Sequence, residues 1–175
     1  MVKVCMEHKN TGYFLQAAAY LLNLTVILTT IVLEIGDEVY AIKDLFLIKT
    51  VQAIAVFGSG LLIILAFTYL IIKGIGLLMY ATARNLFRIN SDYKMLYRVS
   101  LLCNIVYALG ALLDKLFISQ SKDGIWLFLV NPFFIFATAM LFYFCRSIFQ
   151  AAQIQSLLFS ALVYLIFFVI WYLIL

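Results

Sequence analysis

Five uncharged apolar runs approach the roughly 20 residues a helix needs to cross a hydrocarbon core of some 30 Å. They are 13–33, closed by Glu34; 51–72, closed by Lys73; 99–113, short unless the span starts near Leu96, closed by Asp114; 125–145, closed by Arg146; and 151–175, so the spans are expected at about 13–33, 51–73, 96–114, 125–146 and 151–175. A lipid-exposed strand leaves backbone N–H and C=O groups unpaired unless a barrel closes. Barrel strands alternate apolar and polar residues, whereas Leu61-Leu62-Ile63-Ile64-Leu65 does not alternate. The reading is an all-α, polytopic membrane protein with five transmembrane helices.

Composition agrees. Of the 175 residues, 67% are apolar and 11% charged, and the mean hydropathy is +1.13. A soluble domain carries about a quarter charged residues to cover its outside, so a water-soluble fold is excluded. Disorder is excluded too, since it requires low hydrophobicity and high net charge. The first run is longer than a signal peptide's apolar region of about 7 to 15 residues, is preceded by Glu7 and lacks a small-residue cleavage site, so it is expected to stay as a span.

Orientation follows from the distribution of Lys and Arg, which accumulate on the cytoplasmic side. Lys3, Lys9, Lys73, Arg84, Arg88, Lys94, Arg98 and Arg146 fall on one side; Lys43, Lys49, Lys115 and Lys122 fall on the other. The N-terminus is therefore expected in the cytoplasm and the C-terminus outside. The net charge of +4 is parcelled between apolar blocks, which argues against a nucleic-acid partner.

No repeat of fixed period and no flexible linker is visible, so 1–175 reads as one transmembrane domain. Segment 79–98 mixes Leu86, Phe87, Ile89, Met95 and Leu96 with Arg84, Arg88, Lys94 and Arg98, the pattern of a helix lying among lipid headgroups. Gly74 and Gly76 are expected to let the chain turn onto that surface, and Ser91 or Asp92 to cap a restart of helix.

A charge or metal ligand at mid-depth in a bilayer is costly and marks function. His8 is the lone histidine and lies in the N-terminal tail, so no metal site, cofactor or serine or cysteine triad is expected, and the chain reads as a non-enzyme. Cys5, Cys103 and Cys145 have no metal-site spacing and read as small apolar fillers. Gly58, Ser59 and Gly60 suit close helix packing or a partner helix. Lys73 reads as an anchor at the inner interface, with Arg84, Arg88, Lys94 and Arg98 as lipid-headgroup or partner contacts. Asn131 and Pro132 allow two readings. If the helix starts near Ile125, Pro132 kinks its second turn and frees a carbonyl that could line a polar cavity. If it starts at Asn131, that residue caps it and Pro132 takes the first position.

The stretches ARNLFRINSDYKMLYRVSLLCNIVYALGALL and VNPFFIFATAMLFYFCRSIFQAAQIQSLLFSALVYL resemble the last three helices and the intervening loops of the Yip family, five-span membrane proteins first known as partners of Rab-type GTPases. The likeness runs from Ala83 to Leu165, about half the chain. With only about 12 residues ahead of the first span, the prokaryotic branch is the closer fit, which implies a prokaryotic plasma membrane. The expectation that emerges is an adaptor, scaffold or accessory subunit of a transport or trafficking assembly. Its partners would be membrane lipids, other integral membrane proteins or copies of itself. An oligomeric channel or small-solute transporter subunit is the alternative.

Overall fold

The computed structural model describes residues 9–34, 50–117 and 131–174, and all regular structure among the described residues is helical. Helix α1 spans Lys9–Glu34, α2 Thr50–Asn85, α3 Tyr93–Phe117, α4 Pro132–Ser147 and α5 Gln153–Ile174. Four of them, α1, α2, α3 and α5, are long and apolar enough to cross a membrane. With 16 residues α4 is about 24 Å long, short of a typical hydrocarbon core. Residues 125–130 of the expected fourth span lie outside the described residues, as do Cys5, His8, Lys43, Lys49 and Lys122.

The expected turn at Gly74 and Gly76 does not occur. With 36 residues, or about 54 Å, α2 runs unbroken through both glycines. The reason is a continuous core-facing stripe: Ile72, Ile75, Met79, Thr82 and Ala83 follow helical spacing and are all buried. Segment 79–98 is thus the last turns of α2, a connection from Leu86 to Asp92, and the first turns of α3, rather than one surface helix. Ile89, Met95 and Leu96 face the bundle interior, while Leu86 stays exposed. Helix restarts at Tyr93, with the Asp92 carbonyl accepting from the Leu96 amide at 3.0 Å, but the Ser91 hydroxyl does not cap it, since it has no hydrogen-bond partner.

Helix α3 is the hub, packed against α1, α2 and α4, and α4 packs in turn on α5. Its centre holds Tyr107, stacked on Phe167 at 4.1 Å and edge-on to Phe134 at 5.0 Å, all three fully buried. Contacts fix the directions. Gly12 meets Arg98 and Asn23 meets Asn104, so α1 runs with α3; Tyr80 meets Tyr93 and Gly110 meets Asn131, so α2 and α4 run against it. Arg84, Arg88, Lys94, Arg98 and Arg146 therefore gather at one end, the basic end.

The backbone shows a repeat that residue counting along the chain does not. At the basic end of α2, the amides of Leu86 and Phe87 both bond to the Thr82 carbonyl, and Ile89 bonds back to Ala83 at 2.9 Å, with Arg88 at φ 52°. At the same end of α4, Ile148 and Phe149 bond to Phe144, and Ala151 to Cys145 at 3.1 Å, with Gln150 at φ 52°. The two turns are 62 positions apart and read Ala-Arg-Asn-Leu-Phe-Arg-Ile and Cys-Arg-Ser-Ile-Phe-Gln-Ala. Burial keeps the same register: Ile72, Ile75, Met79 and Ala83 are matched by Phe134, Ala137, Leu141 and Cys145. After the turn the first hairpin has two extra residues, Asn90 and Ser91, because Asp92 is matched by Ala152, whose carbonyl likewise accepts from an amide four residues on. Leu96, Val99, Ser100, Cys103 and Tyr107 are then matched by Ser156, Phe159, Ser160, Val163 and Phe167, all buried. The molecule is two similar helical hairpins, α2–α3 and α4–α5, pointing the same way, plus α1.

Candidate functional site

The basic end carries the densest polar chemistry among the described residues. Lys73 is not at a helix end: α2 continues twelve residues beyond it, about 18 Å, past the exposed Leu77 and Leu78. Its ammonium instead lies 4.7 Å from the Tyr97 ring centroid and 5.7 Å from that of Tyr69. Tyr97 stacks on Tyr93, Tyr93 meets Tyr80 edge-on at 5.2 Å, and the Tyr80 hydroxyl accepts from Arg84 Nη1 at 2.8 Å. Aromatic faces are negative and hold a cation without a carboxylate, so this ladder lets a lysine sit between apolar turns. Tyr97 fits only because position 76 is glycine, since a β-carbon there would overlap its ring.

The four cations expected at lipid headgroups divide. Arg98 is buried, at 7% exposure, and its guanidinium packs against Gly12 of α1, so it is a contact inside the bundle. Lys94 and Arg98 line a cleft of about 300 Å3 with Asn90, Asp92, Ile148 and Phe149, where the two hairpin turns meet. Arg84 and Arg88 are exposed and line a separate cavity of about 370 Å3 with Ile89, Asn90 and Ser91.

Deeper in the bundle several polar groups are paired, although Asn104 Nδ2 has no hydrogen-bond partner. Asn23 Nδ2 donates to Asn104 Oδ1 at 2.6 Å and to its own Ala19 carbonyl at 2.7 Å. The Tyr107 and Thr138 hydroxyls are 2.8 Å apart. At the far end Asn131 is the N-cap of α4, with Oδ1 accepting from the Phe133 amide at 2.8 Å and Pro132 in the first helical position. Its Nδ2 donates to Asp114 Oδ2 at 2.6 Å and to the Gly110 carbonyl at 3.2 Å. The capping reading of this pair holds, and Pro132 does not kink an interior turn, because Asn131 is non-helical (φ −55°, ψ 120°) and the helix begins after it.

Gly58 and Gly60 face outward with open space where a β-carbon would stand, and the Ser59 hydroxyl bonds to its own helix at Val56. Among the described residues no other helix comes within 4 Å of a β-carbon placed at Gly58 or Gly60. A groove between α4 and α5, of about 600 Å3, is lined by Ile135, Thr138, Ala139, Phe142, Ser160, Ala161 and Tyr164, among others. Ser160 is 2% exposed and its hydroxyl has no hydrogen-bond partner. Residue-by-residue reading missed this groove and the tyrosine ladder; the repeated Arg-x-aliphatic-Phe of the two turns was the signal available for the first.

Among the described residues no cluster of three or more His, Cys, Asp or Glu is placed to hold a metal. Comparison with protein-family models, with curated proteins and with solved structures finds no match to this chain.

Proposed function

We propose that this is a five-span integral membrane protein, N-terminus in the cytoplasm and C-terminus outside, that works without catalysis as an adaptor, scaffold or accessory subunit. Its recognition surface is the α4–α5 groove, and the occupant is a transmembrane helix of another membrane protein. One observation carries this. In the first hairpin the positions equivalent to Ala161 and Tyr164 are Leu101 and Asn104, both buried, with Asn104 held by Asn23 of α1. Among the described residues the same face of the second hairpin has no counterpart of α1, and Ala161 is exposed. Small residues there, with a buried hydroxyl at Ser160, match what helices in lipid use to approach and bond. The outward Gly58, Ser59 and Gly60 offer a second contact face, and the Yip resemblance supports a place in a transport or trafficking assembly of a prokaryotic plasma membrane.

A photocrosslinking residue at Ala139 is expected to capture a transmembrane segment of a partner in cells. Ala161→Trp, which fills the groove, should abolish both the crosslink and stoichiometric co-purification without lowering thermal stability. Orientation has its own test: a cysteine at Leu86 should react with an impermeant maleimide from the cytoplasmic side alone.

The transporter reading is favoured by a different observation, the two hairpins pointing the same way, as in carriers built from parallel repeats. Solute or ion flux through the purified protein in liposomes, unaffected by Ala161→Trp, would support it over the adaptor.

A further inference from the structure

We propose that the connection after α2 is a binding site for a phosphate group, held by Arg84, Arg88, Asn90 and Ser91. These residues line one cavity of about 370 Å3, and among the described residues no carboxylate is in its walls. Arg84 gives one donor to Tyr80, which leaves the rest of its five N–H groups for a ligand. A guanidinium matches phosphate oxygens two at a time, and two of them on one side of a cavity suit a doubly charged group. The Ser91 hydroxyl is buried and has no hydrogen-bond partner. A buried hydroxyl is normally satisfied, and a phosphate oxygen in the cavity would satisfy it.

The twin turn at the end of α4 is the internal control. It makes the same backbone bonds and the same φ of 52° with Gln150 where Arg88 stands, and it lacks any counterpart of Asn90 and Ser91. Its own arginine, Arg146, is tied to the Ala151 carbonyl at 2.9 Å. The fold of the turn therefore requires neither the second arginine, nor the amide, nor the inserted serine. What the first turn adds over the second is a set of anion-binding groups around a cavity.

Phosphate reaches such a site as a lipid headgroup or as a free, soluble group, and the test separates the two. The full chain in a neutral detergent is titrated with inorganic phosphate, dihexanoyl phosphatidic acid and dihexanoyl phosphatidylcholine, with bound species counted by native mass spectrometry. The expected result is saturable one-site binding of phosphatidic acid, inorganic phosphate or both, with phosphatidylcholine weaker. Phosphatidic acid alone identifies a headgroup site; equal binding of inorganic phosphate identifies a soluble ligand. Arg88→Gln with Asn90→Ala removes two of the groups that the twin turn does without, keeps the fold, and should weaken binding by about tenfold or more; Ser91→Ala should weaken it by a smaller factor. Absence of one-site binding to both phosphate probes, or unchanged binding in the double variant, overturns the site. Neither result bears on the α4–α5 groove, which is at a different place in the bundle.

Discussion

Gly74 and Gly76 stand two residues apart in one helix and do opposite things. A β-carbon at 74 would meet nothing within 4 Å, while one at 76 would collide with the Tyr97 ring. Gly74→Ala is expected to raise stability by about 0.5–1 kcal/mol, the helix-interior cost of glycine. Gly76→Ala should lower it by about 1–3 kcal/mol through overpacking and lift Tyr97 away from Lys73. Unfolding titrations in mixed micelles compare the two. The sequence marks both glycines equally, because the ring that distinguishes them arrives from the next helix. Asn131 is the contrary case: Asn-Pro announces a helix start by local chemistry alone. Asn131→Ser keeps the acceptor for the Phe133 amide and should cost least; Asn131→Ala loses the cap, worth about 1 kcal/mol. Asn131→Asp sets a second carboxylate where Nδ2 now meets Asp114 at 2.6 Å and should cost most. The ranking is read from thermal unfolding midpoints.

At the scale of the element, apolar runs located every helix, and charges misplaced the ends of some. Lys73 closes a run by composition, yet α2 passes through it because burial on one face, set by Ile75, Met79 and Ala83, outweighs one cation that aromatic rings can house. In the same way Arg98 belongs by type to a headgroup layer and by position to the α1–α3 seam, where Gly12 makes room for it. Hydropathy counts residues along a chain; the side a residue faces depends on helices that contribute from elsewhere. The α1–α3 seam allows a double-mutant cycle. Asn23→Leu or Asn104→Leu alone strands the other amide and should cost about 1–2 kcal/mol. The pair together should cost less than the sum by about 1 kcal/mol, since the orphaned group is gone.

At the scale of the molecule, two hairpins of one design share a hub, and α1 covers the equivalent face on only one of them. That asymmetry was hidden in the sequence because the repeat occurs once, has a two-residue insertion at Asn90-Ser91, and keeps burial rather than identity. Its trace is confined to the short Arg-x-aliphatic-Phe turns. If the hairpins are equivalent frameworks, swapping Leu86–Asp92 for Ile148–Ala152 should preserve the bundle, seen as an unchanged circular-dichroism spectrum and cooperative unfolding.

The bond between Asn23 and Asn104 also bears on how the chain is made. The two amides are 81 residues apart, so during synthesis the first helix leaves the ribosome long before its match exists. Until the third helix follows, Asn23 has only its own Ala19 carbonyl to satisfy it in lipid. Insertion in strict order would leave that helix resting on α2 alone, where the Tyr20 hydroxyl donates to the Leu65 carbonyl at 3.1 Å, until α3 arrives. Closure of the seam is thus a late step, waiting on a partner 81 residues further along the chain.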